Sequence, residues 1–209
     1  MSVTQLHDVL AVLAIVALLG SVVLLLARLI PSGSGVLLLD RVHSVHLWLA
    51  ALVPTVASLG SLYFSEMGNH WTPCRFCWFQ RIFMYSCAVV LLIAAARKDH
   101  GVKWYAVPLA TIGALLSTYH VLLEHHVIEE STACSSVTSC ANPYYVSFGT
   151  LDFSSGTLVS TGVPMTLAVM ALCGFLAIIA LLVLPEPLDV EADSATDSAT
   201  EQPAEAATV

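Results

Sequence analysis

Hydrophobic residues along this chain neither alternate with polar ones nor recur as a stripe. They run together in five blocks, at residues 9–27, 47–65, 78–96, 104–123 and 164–184. Each block is close to the ~20 apolar residues that cross a bilayer as a helix. Hydrocarbon offers no partners to backbone N–H and C=O groups, so such blocks must satisfy their own hydrogen bonds as α-helices. The pattern predicts an all-α integral membrane helix bundle. The first block lacks a basic leader and is longer than the ~7–15 apolar residues of a secretory signal, so it reads as a retained helix. Pro54 and Pro108 fall inside two of the blocks and read as tolerated membrane prolines. No internal repeat is visible.

Composition agrees with the pattern. The chain is 57% hydrophobic and 11% charged, against about 25% charged residues in soluble domains. The net charge of −8 is local: seven of the fifteen acidic residues follow Pro185, in a stretch without Lys or Arg. This acidic segment, residues 185–209, is too polar to bury a core and reads as a disordered, solubilising tail. No basic patch suggests nucleic acid. Arg97, Lys98 and Lys103 crowd the short connection between the third and fourth blocks, which the positive-inside rule assigns to the cytoplasm. Alternation then puts Arg28, Arg41 and the tail inside as well. The amino terminus, residues 66–77 and the long segment 124–163 fall outside.

Charge placement changes the meaning of the cysteines. Six are present, four of them as two close pairs, Cys74/Cys77 and Cys134/Cys140. Both pairs fall on the same, oxidising side, where disulfides persist. The first pair sits in Trp71-Thr-Pro-Cys74-Arg-Phe-Cys77-Trp-Phe-Gln80-Arg81. Two intervening residues let the sulfurs close one small ring that exchanges readily with other thiols. Thr72 and Pro73 mark a helix start near Cys74, where unpaired N–H groups and the helix dipole stabilise a thiolate. Arg81 lies four residues beyond Cys77 on the same helical face, about one turn deeper, and Tyr85 continues that face. An intramembrane cation is costly and usually functional; the alternative is a side chain that snorkels to the headgroups.

A dithiol that turns over must pass its electrons on. No flavin, haem or nicotinamide motif is visible, and a lipid-soluble quinone is the natural sink at this depth. Trp78, Phe79, Gln80 and Arg81 supply aromatic and polar groups for it. His120 lies near the depth of Arg81 on the opposing helix, with Glu124 at i+4 and His125 close by. The second pair lies in a polar segment, residues 124–163, that is longer than a structureless connector usually is. Its Tyr144, Tyr145, Phe148, Leu151 and Phe153 suit a membrane surface or ordinary loop packing equally. Two pairs on one side suggest a relay; a static Cys134–Cys140 staple is the alternative. Cys87 and Cys173 sit singly in apolar blocks and read as small core residues.

Together, Leu59-Gly-Ser-Leu-Tyr-Phe-Ser-Glu66 and Pro73-Cys-Arg-Phe-Cys-Trp-Phe-Gln-Arg-Ile-Phe-Met-Tyr85 resemble the disulfide bond formation protein B family (DsbB), particularly its BdbC-type branch, over residues 45–184. The resemblance implies a four-helix membrane core that reoxidises a DsbA-like thioredoxin-fold thiol oxidase and reduces a quinone, menaquinone or ubiquinone. It implies Cys74 and Cys77 as the quinone-linked pair, Arg81 as the quinone-contacting arginine, and Cys134 and Cys140 as the pair that meets the partner. Both Tyr119-His120 and Glu124-His125 resemble family text near the quinone site, so the choice between His120 and His125 stays open. The setting implied is the cell membrane of a prokaryote, crossed several times. The chain departs from the family in its extra amino-terminal helix with the following loop (residues 1–44) and in its long tail. Three other readings compete: a structural zinc site built from the four paired cysteines, disulfides that only staple loops, and a quinone-linked enzyme of the vitamin K epoxide reductase type. A zinc site would not need Arg81 beside it, and the Trp78-Phe-Gln-Arg81 context favours the DsbB-like reading over the third.

Overall fold

A computed structural model of the chain describes residues 3–30, 33–67, 72–129, 139–140, 145–152 and 157–184. All five apolar blocks are helical. In chain order the helices are α1 (Val3–Leu29), α2 (Gly33–His43), α3 (His46–Leu62), α4 (Arg75–Arg97), α5 (Lys103–Glu124) and α6 (Leu167–Val183). A π-helical turn, Tyr63–Met67, extends α3, and a 3₁₀ turn, His100–Val102, joins α4 to α5. α4 has 23 residues, about 35 Å at 1.5 Å per residue, enough to cross the hydrocarbon. Among the described residues, four segments have the length and apolarity of spans, and the shorter α6 adds a fifth apolar helix. Pro54 and Pro108 lie inside α3 and α5, which continue through them.

Helices α3, α4, α5 and α6 pack in a ring, each against the next and α6 back onto α3; α1 lies outside the ring, against α6. The expected four-helix core with an added amino-terminal helix is therefore what forms. Small residues carry the packing: Ala50, Ala51, Ala94, Ala95, Ala106 and Ala110 are almost fully buried around Leu91, Phe175 and Ile178. With no hydrophobic force between helices in lipid, close backbone approach at small side chains takes over that role. Outward positions such as Leu19, Ile93 and Leu115 are exposed and apolar, a surface that suits lipid and not water. Several hydroxyls in the helices bond back to their own backbone, as Thr55 Oγ1 does to the Ala51 carbonyl at 2.7 Å and Ser117 Oγ to the Gly113 carbonyl at 2.9 Å. Their polarity is thereby satisfied without water.

Three elements were not expected: a helix and a pair of strands. Residues 33–43, assigned to a loop, form α2, which packs on α1. The long outer segment contains an antiparallel pair, β1 (Tyr145–Asp152) and β2 (Thr157–Thr166), registered from Tyr145 opposite Thr166 to Asp152 opposite Thr157. The fifth apolar helix accordingly starts at Leu167 and not at Pro164. Thr166 closes the strand and caps the helix, its hydroxyl accepting from the Val169 amide at 3.2 Å. Cys134, Tyr144, Phe153 and the acidic tail, residues 185–209, lie outside the described residues.

Candidate active site

Cys74 is the N-cap of α4. Its backbone is extended (φ −68°, ψ 173°), and its sulfur accepts from the Cys77 amide at 3.3 Å. Pro73 precedes it, and the helix begins at Arg75, so Cys77 lies in the first turn with its sulfur 3.0 Å from that of Cys74. The Cys74 thiol donates to Cys77. This hydrogen bond, reinforced by burial, pushes the Cys74 thiol up to about 12. A helix start alone predicts a lowered thiol at Cys74. A second sulfur that accepts a hydrogen bond from the thiol, and so favours the protonated form, outweighs the dipole there.

A polar chain runs from Cys74 into α5. His120 Nε2 lies 3.6 Å from Cys74 Sγ and 4.0 Å from Glu124 Oε1. Gln80 donates from Nε2 to His120 Nδ1 at 3.2 Å, which leaves the imidazole proton on Nε2, facing sulfur and carboxylate. Thr166 Oγ1 donates to Glu124 Oε2 at 2.6 Å. Gln80, His120, Glu124 and Thr166 are all buried, so these bonds stand in for water. The Phe76 ring covers His120, with centroids 5.8 Å apart, and meets Tyr119 at 5.2 Å. Cys140, 1% exposed, packs into the same cluster as Cys74, Leu123, Phe76 and Cys77, and its backbone is hydrogen-bonded to His120. The Cys74 and Cys77 sulfurs and one His120 nitrogen lie within 4.8 Å of one another, a spacing that also suits a metal.

On the other side of Cys77 a cavity of about 390 Å³ opens between α1, α3, α4 and α6. Its walls are largely apolar, among them Leu13, Ala17, Val56, Met84 and Met170. Its polar groups come from Ser61, Thr72, Cys77, Gln80, Arg81 and Tyr85. Arg81 does not snorkel outward. Nε donates to Ser61 Oγ at 2.9 Å and a terminal nitrogen to the Ser61 carbonyl at 3.0 Å, while the guanidinium stands 5.4 Å from the Trp78 ring centroid.

Of the residues singled out in the sequence, Cys74, Cys77, Gln80, His120 and Cys140 come together, and Cys77, Gln80 and Arg81 face the cavity. Trp78 is exposed and reaches the site through Arg81. His125 is the exposed C-cap of α5 and not part of the polar chain. Cys87 and Cys173 are buried in the bundle. Sequence reasoning missed Thr166, Ser61, Phe76 and the α1 wall. A Thr directly before an apolar run is a helix-cap signal and points to Thr166; nothing local marks Ser61.

A dithiol at the mouth of a membrane helix, joined to a third cysteine and an intramembrane cation, defines a membrane thiol-disulfide protein. Residues 44–184 match the family model described as disulfide bond formation protein DsbB. Among relatives, the probable disulfide formation protein of Deinococcus radiodurans is 41% identical over 145 residues, covering 68% of this chain and 90% of that protein. The probable disulfide formation protein C 2 of Bacillus anthracis is 36% identical over 141 residues, 68% of this chain and 90% of that protein. Disulfide bond formation protein C of Bacillus subtilis is 42% identical over 107 residues, 50% of this chain and 76% of that protein. No solved structure matches the chain. The chain belongs to the DsbB family of disulfide bond formation proteins and is a multi-pass membrane protein. α1 and α2 precede the matched region.

Proposed function

We propose that the protein is a thiol:quinone oxidoreductase that regenerates an extracytoplasmic DsbA-like thioredoxin-fold thiol oxidase. The observation that carries this reading is the position of Cys77. It touches Cys74 and the Cys140 cluster on one side and lines the cavity with Arg81 on the other.

In the relay, two thiols of the partner exchange with a Cys134–Cys140 disulfide; the partner leaves oxidised, and Cys134 and Cys140 become thiols. These exchange in turn with a Cys74–Cys77 disulfide, which opens to two thiols as the outer pair closes. Cys74 and Cys77 then release two electrons and two protons and close again. His120, with a proton on Nε2 and Glu124 behind it, is placed to hand protons to and from the Cys74 sulfur. Gln80 holds the imidazole in that tautomer, and Thr166 orients Glu124.

The acceptor is read from the cavity. A volume of about 390 Å³ lies within the ~300–1,000 Å³ of small-molecule sites. Apolar walls with Arg81, Ser61 and Gln80 gathered near the sulfur suit a flat ring with polar carbonyls and a hydrocarbon tail. A quinone, when bound there, supplies a two-electron, two-proton acceptor. Arg81 and Gln80 would hold its carbonyl end, and Trp78 would keep Arg81 in place from the lipid side.

Purified protein with a reduced thioredoxin-fold oxidase and a quinone analogue tests this. Quinone absorbance should fall in step with thiol loss, and Cys74→Ser or Cys77→Ser should each abolish it. Near-normal turnover in either variant would sink the reading. So would one equivalent of tightly held zinc on reduced cysteines, the outcome expected of a structural metal site.

A further inference from the structure

We propose that His43, His46 and His100 form a site for a divalent transition-metal ion of the zinc class, at the far end of α4 from the cysteines. His43 is the last residue of α2, His46 the first of α3, and His100 opens the 3₁₀ turn after α4. One ligand nitrogen from each lies within 4.8 Å of the other two. Zinc holds imidazole nitrogens at 2.0–2.1 Å, so three of them around one ion sit about 3.3 Å apart. The inward shift needed is about an ångström, and His100, exposed on a short turn, has room to make it.

Two observations separate this from a chance stack of rings. First, His46 Nδ1–H donates to the His43 carbonyl oxygen. That bond fixes the tautomer with the lone pair on Nε2, the backbone-carbonyl arrangement that metal-ligating histidines use. Second, His43 Nδ1 is buried and has no hydrogen-bond partner among the described residues. A buried ring nitrogen without a partner is costly, and a metal ion or its bound water satisfies it.

The scaffold is also built in advance. Lys98 caps α4 in the left-handed conformation (φ 54°). Asp99 Oδ1 accepts from the Gly101 amide at 2.9 Å, and Tyr105 donates its hydroxyl proton to Asp99 Oδ2 at 3.2 Å. Together these hold the turn that presents His100. The three rings already face one another with centroids 4.7, 5.2 and 5.8 Å apart. An all-nitrogen donor set suits Zn²⁺, Cu²⁺ or Ni²⁺ and not the hard cations. The fourth position is left to water. Binding would tie the α2–α3 junction to the α4–α5 turn, and it does not depend on the thiol reading of the other end.

The test uses the full chain in detergent, purified without a histidine tag and titrated with Co²⁺. One equivalent should bind with ligand-field absorption and without the thiolate-to-cobalt charge-transfer band that Cys74 and Cys77 would give. His100→Ala, at an exposed position that spares the core, should lose that signal, and His46→Gln should lose it too. Added Zn²⁺ should raise the melting temperature of the parent chain and not that of His100→Ala. No bound cobalt, an unchanged stoichiometry in His100→Ala, or a signal carried wholly by the thiolate band would each overturn the proposal.

Discussion

Arg81 and His120 flank the same dithiol from opposite sides, and under the proposed function their surroundings suit them to separable tasks. Arg81 is bound to Ser61 and faces the cavity; His120 is bound to Gln80 and faces Cys74. Hydrogen bonds to a charged group are worth about 1.5–3 kcal/mol. Arg81→Ala should therefore raise the apparent KM for quinone about 10- to 100-fold, with partner exchange unchanged. His120→Ala removes a proton carrier and should lower kcat about 100-fold or more with the quinone KM held. Steady-state kinetics with each substrate varied in turn decides this, and a KM effect from His120 together with a kcat effect from Arg81 would reverse the assignment. Both residues were legible in the sequence because a charge or an imidazole inside an apolar block stands out. The choice between His120 and His125 was not legible: both sit near the end of one helix, and only the fold shows that one points at sulfur while the other caps the helix in the open. Thr166 and Ser61 were hidden for the opposite reason, since single hydroxyls are common in membrane helices and gain meaning only from the partner across the gap.

At the level of elements, one close contact holds the helix ring together and one helix outside the ring walls the cavity. A Cβ on Gly113 of α5 would run into the ring of Phe175, which is fully buried on α6. Gly113→Val forces those helices apart. It should destabilise the bundle by about 1–3 kcal/mol, read as a lower melting temperature in detergent; an unchanged value would mean that α5 and α6 are not tightly packed there. α1 contributes Leu10, Leu13, Ala14, Val16 and Ala17 to the cavity wall, although it lies outside the region shared with the family. Ala17→Phe should crowd the slot, raising the quinone KM while thiol exchange with the partner continues at its usual rate. If quinone use is unaffected, α1 is only a neighbour of the site. The five membrane helices could be read from the sequence because apolar runs of that length have few alternatives in lipid. α2 and the β1–β2 ribbon could not. The Ser32-Gly-Ser-Gly35 stretch reads as a turn, and the ribbon's residues are mixed and polar, so strand pairing decides their conformation more than local pattern does.

For the whole molecule the variable to be tested is which way the bundle faces, and the charge distribution argues for one orientation. Arg97, Lys98 and Lys103 lie at the turn between α4 and α5, and Arg28 and Arg41 flank the region between α1 and α3. All five fall at one end of the bundle, and the cysteine cluster falls at the other. A cytoplasmic excess of Lys and Arg sets orientation because basic segments resist translocation. The extra helix α1 does not disturb this bias. It adds one crossing at the amino terminus and leaves the later loops on their sides. The acidic tail contributes little, because Asp and Glu weigh weakly in the rule. Two exposed positions report the result: Trp104, 77% exposed beside Lys103, and Val127, 69% exposed just beyond α5. In a chain whose own cysteines are replaced by serine or alanine, Val127→Cys should react with a membrane-impermeant maleimide on intact cells. Trp104→Cys should react only after the membrane is opened. The reverse pattern would put the dithiol in the reducing cytoplasm, where a disulfide-generating relay has no oxidised product to sustain, and the proposed function would fall with the orientation.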